Sequence, residues 1–525
     1  MTMSYNSEFY IGFLAVFLIV YFLMPRPRLR LFVILAGNMF FYKFAGGLNP
    51  MSVIFATAIL VWLITMKMGR GYEECEKQAA DLDRKAKNAL INEAKKKNRK
   101  WLALGLVLIL GFLIYIKVGR VLHFDEVGHI RDIRFTAMLV PVGLSYYTFS
   151  AVGYLADVYW RKAKAEKDPV KVLTALTFFP IIIEGPILHY DDLMKQFDEL
   201  PGFSYERLSF GAQRIFWGLF KKIVVSDRLA AYTTTVFGNL GEFFGIEVLL
   251  AVIANVLVIY TDFSGCMDIV IGSAECMGIE LPENFRQPFF AKGAAEFWRR
   301  WHITLGAWFK DYVYMPLAMN PRFMKWTGSV RKKAGARASR IVSSAVPLMI
   351  VWILTGLWHG TGINYLLWGI YWGILIVAET AFAPELKKIP EKLGVNTESF
   401  GYQFLQMART FIYFAVGRMF TADGYKGSII HILRQMVGEH RLWTLFDGSL
   451  YEHGLDRKDF YVALAGICVI WIVDILSTRM KIREELAKQP LVFRWLVYYA
   501  LVIAVLIFGL YGPQFVASDF AYGVF

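Results

Sequence analysis

Apolar runs recur from one end of the chain to the other, separated by short stretches in which charge is concentrated. A hydrocarbon core about 30 Å thick takes roughly 20 helical residues to cross, so each long run predicts a transmembrane helix, about eleven in all. The pattern also predicts shorter re-entrant and interfacial helices between them. The first span runs from about Phe9 to Leu23, and spans near Tyr461 to Leu476 and Leu491 to Leu510 close the chain. Between Ala381 and Asp459 the sequence turns polar and loop-like apart from an apolar stretch around Phe411 to Phe420, which reads as an insertion in one integral-membrane domain, residues 1–525. Gly71 to Lys100 is rich in helix formers of mixed sign, with Lys and Arg towards its end. It predicts an amphipathic helix on the cytoplasmic face, its basic end near anionic lipid; a solvated charged connector fits equally.

Composition sharpens the class. The chain is 56% hydrophobic, 16% aromatic and 19% charged, with mean hydropathy +0.43, the profile of an all-α polytopic membrane protein. A net charge of +14, from 57 basic and 43 acidic residues, would suggest nucleic acid in a soluble chain. Here the bases gather in connecting stretches, where they act as topology signals, and no nucleic-acid partner is expected. The basic stretches after Leu23, from Lys67 to Lys100, from Arg161 to Lys167 and from Arg322 to Arg340 are expected on the cytoplasmic side. The opposite stretches, Gly46 to Pro50 and Val121 to Asp132, are sparsely charged or balanced, which puts the N-terminus outside. The first apolar run lacks a basic region before it and ends in Pro and Arg, so it is expected to be retained. Cys75, Cys266, Cys276 and Cys468 have neither zinc spacing nor the density of a disulfide framework.

Three of the eight histidines stand in or beside apolar segments: His189, His302 and His359. His189 neighbours Asp191 and Asp192, so a carboxylate partner is expected. In the stretch from Ala294 to Leu317, Trp298, Trp301, His302, Leu305 and Trp308 fall on one side of a helix at 3.6-residue spacing, with Arg299, Arg300 and Lys310 largely off that face. This fits first an interfacial helix with a tryptophan belt and basic anchors; the functional alternative is a cavity-lining histidine beside bases that meet a phosphate-rich donor. His359 lies in TGLWHGTG, Thr355 to Gly362, inside an apolar run from Ala345 to Ala378. An imidazole there is expensive, and the crowded Gly356, Gly360 and Gly362 predict irregular backbone around a cavity. Neither His302 nor His359 has a His or Cys at i+3 or i+4, so no metal site is expected. Asp262, Asp268 and Glu275 interrupt another apolar segment and must be paired, hydrated or neutral.

Seven ordered blocks, spanning about Phe135 to Ala378, together carry a family resemblance: SYYTFSAVGYLADVYW, FFPIIIEGPILHYDDL, KKIVVSDRLA, YTDFSGCMDIVIG, LPENFRQPF, FWRRWHITL and GLWHGTGINYLLWG. The chain resembles the membrane-bound O-acyltransferases, in particular the bacterial branch that acetylates alginate and related extracellular polysaccharides. The resemblance implies transmembrane helices around a central tunnel. It implies that His359 is the catalytic histidine and His302 a second active-site histidine. From their positions and chemistry, Trp358, Asn364, Tyr365, Trp298, Arg299, Arg300 and Asp262 are candidate cavity-lining or donor- and acceptor-binding residues. The resemblance further implies acetyl-CoA or a related thioester as co-substrate, with no bound cofactor. The implied partners are an extracytoplasmic polysaccharide and a secreted or membrane-anchored esterase-like protein. The chain ends DFAYGVF, whose Phe520, Tyr522 and Phe525 match a terminal motif of such systems and whose Ala521, Gly523 and Val524 depart from it. Tyr522 is therefore a candidate acyl relay.

Two other functions fit parts of the pattern. D-Alanylation of teichoic acid from an acyl carrier protein is the close alternative, though those relatives lack much of the polar insertion. A polysaccharide or lipid transporter would also use a broken helix of the kind expected at Gly356 to Gly362.

Overall fold

The computed structural model describes residues 3–121, 142–360, 362–422 and 427–511, and these are α-helical with short 3₁₀ and π turns; among them no strand forms beyond one isolated bridge, Phe285 to Trp301. The stretch 122–141, which includes most of the expected outer loop, and the terminal residues with Tyr522 lie outside the described residues.

Helix starts follow local chemistry. Ser7, Asp168, Asn320, Ser399, Ser428 and Asp456 each accept a hydrogen bond from a main-chain N–H of the first turn that follows, satisfying donors that have no partner inside the helix. Among the described residues seven helices are long and apolar enough to cross a membrane: Leu48–Gln78, the helix from Arg84, Ile246–Met277, Pro321–His359, Ile363–Ala381, Arg457–Ser477 and Leu491–Phe508. The chain is a multi-pass membrane protein. The remaining apolar runs take other forms. Leu144–Tyr159 has only 16 residues and is buried from Leu144 to Val158, while Phe178 to Leu188 is mostly turn. A segment enclosed by protein is apolar without needing bilayer length.

The described residues form two compact units, one from those up to Ala212 with Val270–Pro282, the other from Gln213–Ile269 with those from Glu283 onward. In the first, an aromatic core joins Tyr10, Phe13, Phe17, Phe41 and Phe179. Buried Asn38 ties this core together, donating to Thr174 O and Thr177 Oγ1 and accepting from Phe179 N. The charged stretch from Gly71 to Lys100 is no separate surface helix: it is the ends of two long helices, Leu48–Gln78 and Arg84–Val121, joined by a turn. Asn98 fastens the pair by donating to Met68 O at 3.0 Å.

In the second unit the basic stretch Arg322 to Arg340, expected as a loop, is helical and belongs to Pro321–His359, with one kink at Gly335 where φ is +86°. Ile246–Met277 is the most enclosed of the long helices, 72% of its apolar window being buried against 6% for Leu491–Phe508. Two of its carboxylates are held in ion pairs: Asp262 with Lys222 at 2.6 Å, and Asp268 with Arg214 at 3.0 Å and with Lys221.

Candidate active site

The helix Pro321–His359 delivers His359 at its last position. The backbone is helical through Gly356, and the break follows the histidine, at extended Gly360, before Ile363–Ala381 begins after Gly362. This corrects the expectation of irregular backbone across Gly356 to Gly362. Gly356 serves close packing instead: a Cβ there would stand 2.4 Å from Tyr365 O, and one on facing Gly369 would stand 2.4 Å from Trp352 O. The two helices touch backbone to backbone, as small residues allow in membranes. Gly356→Ala is expected to force them apart and destabilise the protein by about 1–3 kcal/mol, the usual cost of overpacking, read as a lowered midpoint of thermal unfolding in detergent.

His359 is 8% exposed and lies between two indoles, Trp358 at 4.7 Å and Trp368 at 4.8 Å between ring centroids. Trp368 continues into a wall of Trp298, Trp352 and Trp372. Trp298 thus lines the pocket through Trp368 rather than touching either histidine ring.

His302 reaches the same place from a different direction. The expected continuous helix from Ala294 to Leu317 is broken: Ala294–Arg300 ends, Trp301 is extended, and His302 takes the left-handed conformation at φ 46° before Ile303–Phe309 restarts. The LPENFRQPF loop imposes the break. Phe285 bridges to Trp301, Arg286 N donates to Arg300 O, and Ile303 N donates to Asn284 O. These two external bonds override a periodicity that suits a helix. A non-glycine residue with positive φ stores strain, which surrounding structure must overcome and which is concentrated at functional sites.

The His302 ring is 2% exposed, set edge-on to Phe263 at 4.8 Å and tilted against Trp358 at 6.2 Å. Trp358 therefore contacts both imidazoles, from segments 57 residues apart in sequence. Burial drives the His302 imidazole far below its ordinary range, to about 3, so it is neutral at physiological pH. A neutral imidazole buried among aromatic rings is suited to receiving or guiding a proton from a hydroxyl.

The other candidates divide. Asn364 donates to Gly427 O at 3.2 Å and the Tyr365 ring packs over Gly360, so both shape the turn that follows His359. Arg300 is engaged by Glu296 at 2.6 Å and Arg299 is exposed. Asp262 is committed to Lys222. His189, in the first unit, pairs with Asp157 at 3.2 Å rather than with neighbouring Asp191 or Asp192, which face Lys195. Among the described residues no group of three His, Cys, Asp or Glu side chains is placed to hold a metal ion.

Two segments carry polar residues whose roles the local sequence does not assign. Asn284 holds the loop against His302. Lys221 and Lys222, at the heart of a π-helical turn, Phe220–Ser226, are both buried and both paired with acids. Two adjacent lysines within an apolar stretch beside a carboxylate-bearing span were the available signal.

Residues 164–329 match the model of MBOAT, the membrane-bound O-acyltransferase family, a region that includes His302 and ends before His359. A probable alginate O-acetylase of Pseudomonas syringae pv. tomato is 26% identical over 491 residues, 91% of this chain and 83% of the relative. The similarity of the chain lies with the membrane-bound O-acyltransferase family. Other proteins it resembles are a peptidoglycan O-acetyltransferase of Helicobacter pylori, 25% identical over 72% of this chain and 69% of that one, and a teichoic acid D-alanyltransferase of Bacillus subtilis, 30% identical over 47% and 60% respectively. The family similarity implies an acyl donor as co-substrate.

Proposed function

We propose that the protein moves an acetyl group from acetyl-CoA, supplied on the cytoplasmic side, to hydroxyls of an extracytoplasmic polysaccharide, directly or through a secreted or membrane-anchored esterase-like partner. The observation that carries this reading is the convergence of His302 and His359 on Trp358 in a buried aromatic pocket. The alginate O-acetylase relatives support the acetyl group, since their similarity extends over up to 93% of the chain, whereas the D-alanyltransferase similarity covers 47%.

His359 acts as general base. The acceptor oxygen attacks the thioester carbonyl while His359 takes its proton; the carbon–sulfur bond then breaks and the thiolate leaves with that proton. The products are an ester and free thiol. His302 works beside it on the acceptor or the developing oxyanion. The bases of the Gly71 to Lys100 hairpin and of Arg322 to Arg340 mark the cytoplasmic side, with the N-terminus outside and a central tunnel joining donor to acceptor. Tyr522 is the proposed relay in systems that use a partner: Tyr522→Phe is expected to abolish hydroxylamine-labile acetyl label on the protein, and persistence of that label would remove the relay.

Donor identity is tested with protein reconstituted in liposomes, offering radiolabelled acetyl-CoA or D-alanyl carrier protein with alginate oligosaccharides or peptidoglycan fragments as acceptors. Label passing from acetyl-CoA to a glycan is expected. Label passing only from the carrier protein would make the protein a D-alanyltransferase, and polymer translocation without transfer from either thioester would make it a transporter.

A further inference from the structure

The two tasks left open for His302 need opposite things from its ring. Orienting an acceptor hydroxyl needs a lone pair; stabilising an oxyanion needs an N–H. The surroundings of the ring distinguish them.

Asn284 is fully buried, and its side-chain oxygen lies 3.1 Å from Thr304 N, 3.0 Å from Thr304 Oγ1 and 3.2 Å from Nδ1 of His302. A main-chain N–H only donates, so the Asn284 atom facing it must be the carboxamide oxygen. The other end agrees, because Asn284 Nδ2 faces Met267 Sδ at 3.1 Å, and a thioether only accepts. An oxygen opposite Nδ1 in turn requires the imidazole proton to sit on Nδ1. A neutral imidazole with Nδ1–H carries its lone pair on Nε2.

We infer that Asn284 is a positioning residue that locks His302 in the Nδ1–H tautomer, so that Nε2 accepts a hydrogen bond from the acceptor hydroxyl and cannot donate one to the oxyanion. The inference rests on the proposal that His302 belongs to the active site. It gives the strained backbone a purpose: His302 can face Asn284 only because the helix breaks at Trp301 and φ turns positive. It also removes competition from fixed charge. The ring is faced by Phe263, Trp358 and Asn284, and charged neighbours on the elements around it are engaged elsewhere. Asp262 pairs with Lys222, Asp268 with Arg214 and Lys221, Glu283 with Arg214, and Arg300 with Glu296.

The test uses full-length protein in liposomes with acetyl-CoA and alginate oligosaccharides, comparing His302→Ala, Asn284→Ala and Asn284→Asp across pH. Asn284→Ala leaves both tautomers accessible and is expected to lower kcat about 10- to 100-fold, the scale of losing an orienting partner, with KM for acetyl-CoA unchanged. Asn284→Asp keeps an oxygen for both Thr304 N–H and Nδ1–H, so it preserves the bonds to Thr304 and His302 and loses the donation to Met267 Sδ. Its carboxylate favours the imidazolium and raises the His302 pKa. Protonation at Nε2 converts the acceptor into a donor, so activity in Asn284→Asp should hold at high pH and fall as pH drops, with the acid limb at least one pH unit above that of wild type. A wild-type acid limb in Asn284→Asp, or activity that rises on acidification as an oxyanion donor would give, overturns the inference. Because the readout is the displacement of a pH profile in a variant that keeps the oxygen facing Thr304 and His302, a purely structural role for Asn284 would not produce it. If His302→Ala itself retains wild-type turnover, the active-site reading of His302 fails first, and that outcome is distinct from normal loss in His302→Ala with an unshifted Asn284→Asp profile.

Discussion

His359→Ala is expected to lower acyl transfer by about 10²–10⁴-fold, the usual contribution of a positioned general base, while the protein elutes and melts like wild type. The fold should survive because His359 is the last residue of its helix, and the close contact that holds the following helix is made by Gly356 and Gly369 instead. The indoles of Trp358 and Trp368 pack against the imidazole and remain in place to line the space it leaves. The loss should fall on kcat, since a base acts as the hydroxyl attacks and contributes little to holding the thioester. Radiolabel transfer at saturating donor checks this. Turnover within a few-fold of wild type would remove His359 from the chemistry.

Lys222→Ala is expected to be the most destabilising single change in the second unit, by about 3–5 kcal/mol. The Lys222 side chain is 1% exposed and sits 2.6 Å from Asp262 and 2.9 Å from Asp227. Truncating it leaves two carboxylates facing each other in an apolar interior, where the cost comes from stranded charge rather than from the lost pair itself. The π turn is what brings Lys221 and Lys222 inward together, since all seven residues from Phe220 to Ser226 are buried. Extra residues of this kind mark functional regions of helices, and here the turn also carries Lys221 to Asp268 and stands close to Arg214, which clasps Glu283 next to Asn284. The measurement is thermal or denaturant unfolding in detergent. A change below about 1 kcal/mol would mean that water reaches the cluster and screens it.

Much of this was legible in the sequence, for specific reasons. Long spans such as Ile246–Met277 and Leu491–Phe508 announce themselves because lipid demands unbroken apolar length. His359 stood out because an imidazole inside such a run has no inexpensive explanation. Legibility failed where tertiary contacts overrode local pattern. The tryptophan periodicity around His302 is real, and yet the helix breaks in its middle, because the Phe285 bridge and Asn284 come from a loop 16 to 18 residues upstream. Arg322 to Arg340 is dense in charge and still helical, because its propensities permit a helix that the following apolar run extends. That His189 has a carboxylate partner was legible, but which carboxylate was not: Asp157 is remote in sequence and near in space, whereas Asp191 and Asp192 have Lys195 one turn away. Asn284 has no distinguishing pattern at all, since its significance lies in four polar contacts made by one buried side chain.

The central claim is that His302 and His359 act as one site for acyl transfer. A double-mutant cycle on single-turnover acetyl transfer from acetyl-CoA, using His302→Ala, His359→Ala and the double variant, tests it most directly. Residues that act as a unit are strongly non-additive, so the double variant should lose no more than His359→Ala alone. Losses that multiply across the cycle would mean that the two histidines serve separate steps, and would contradict the account.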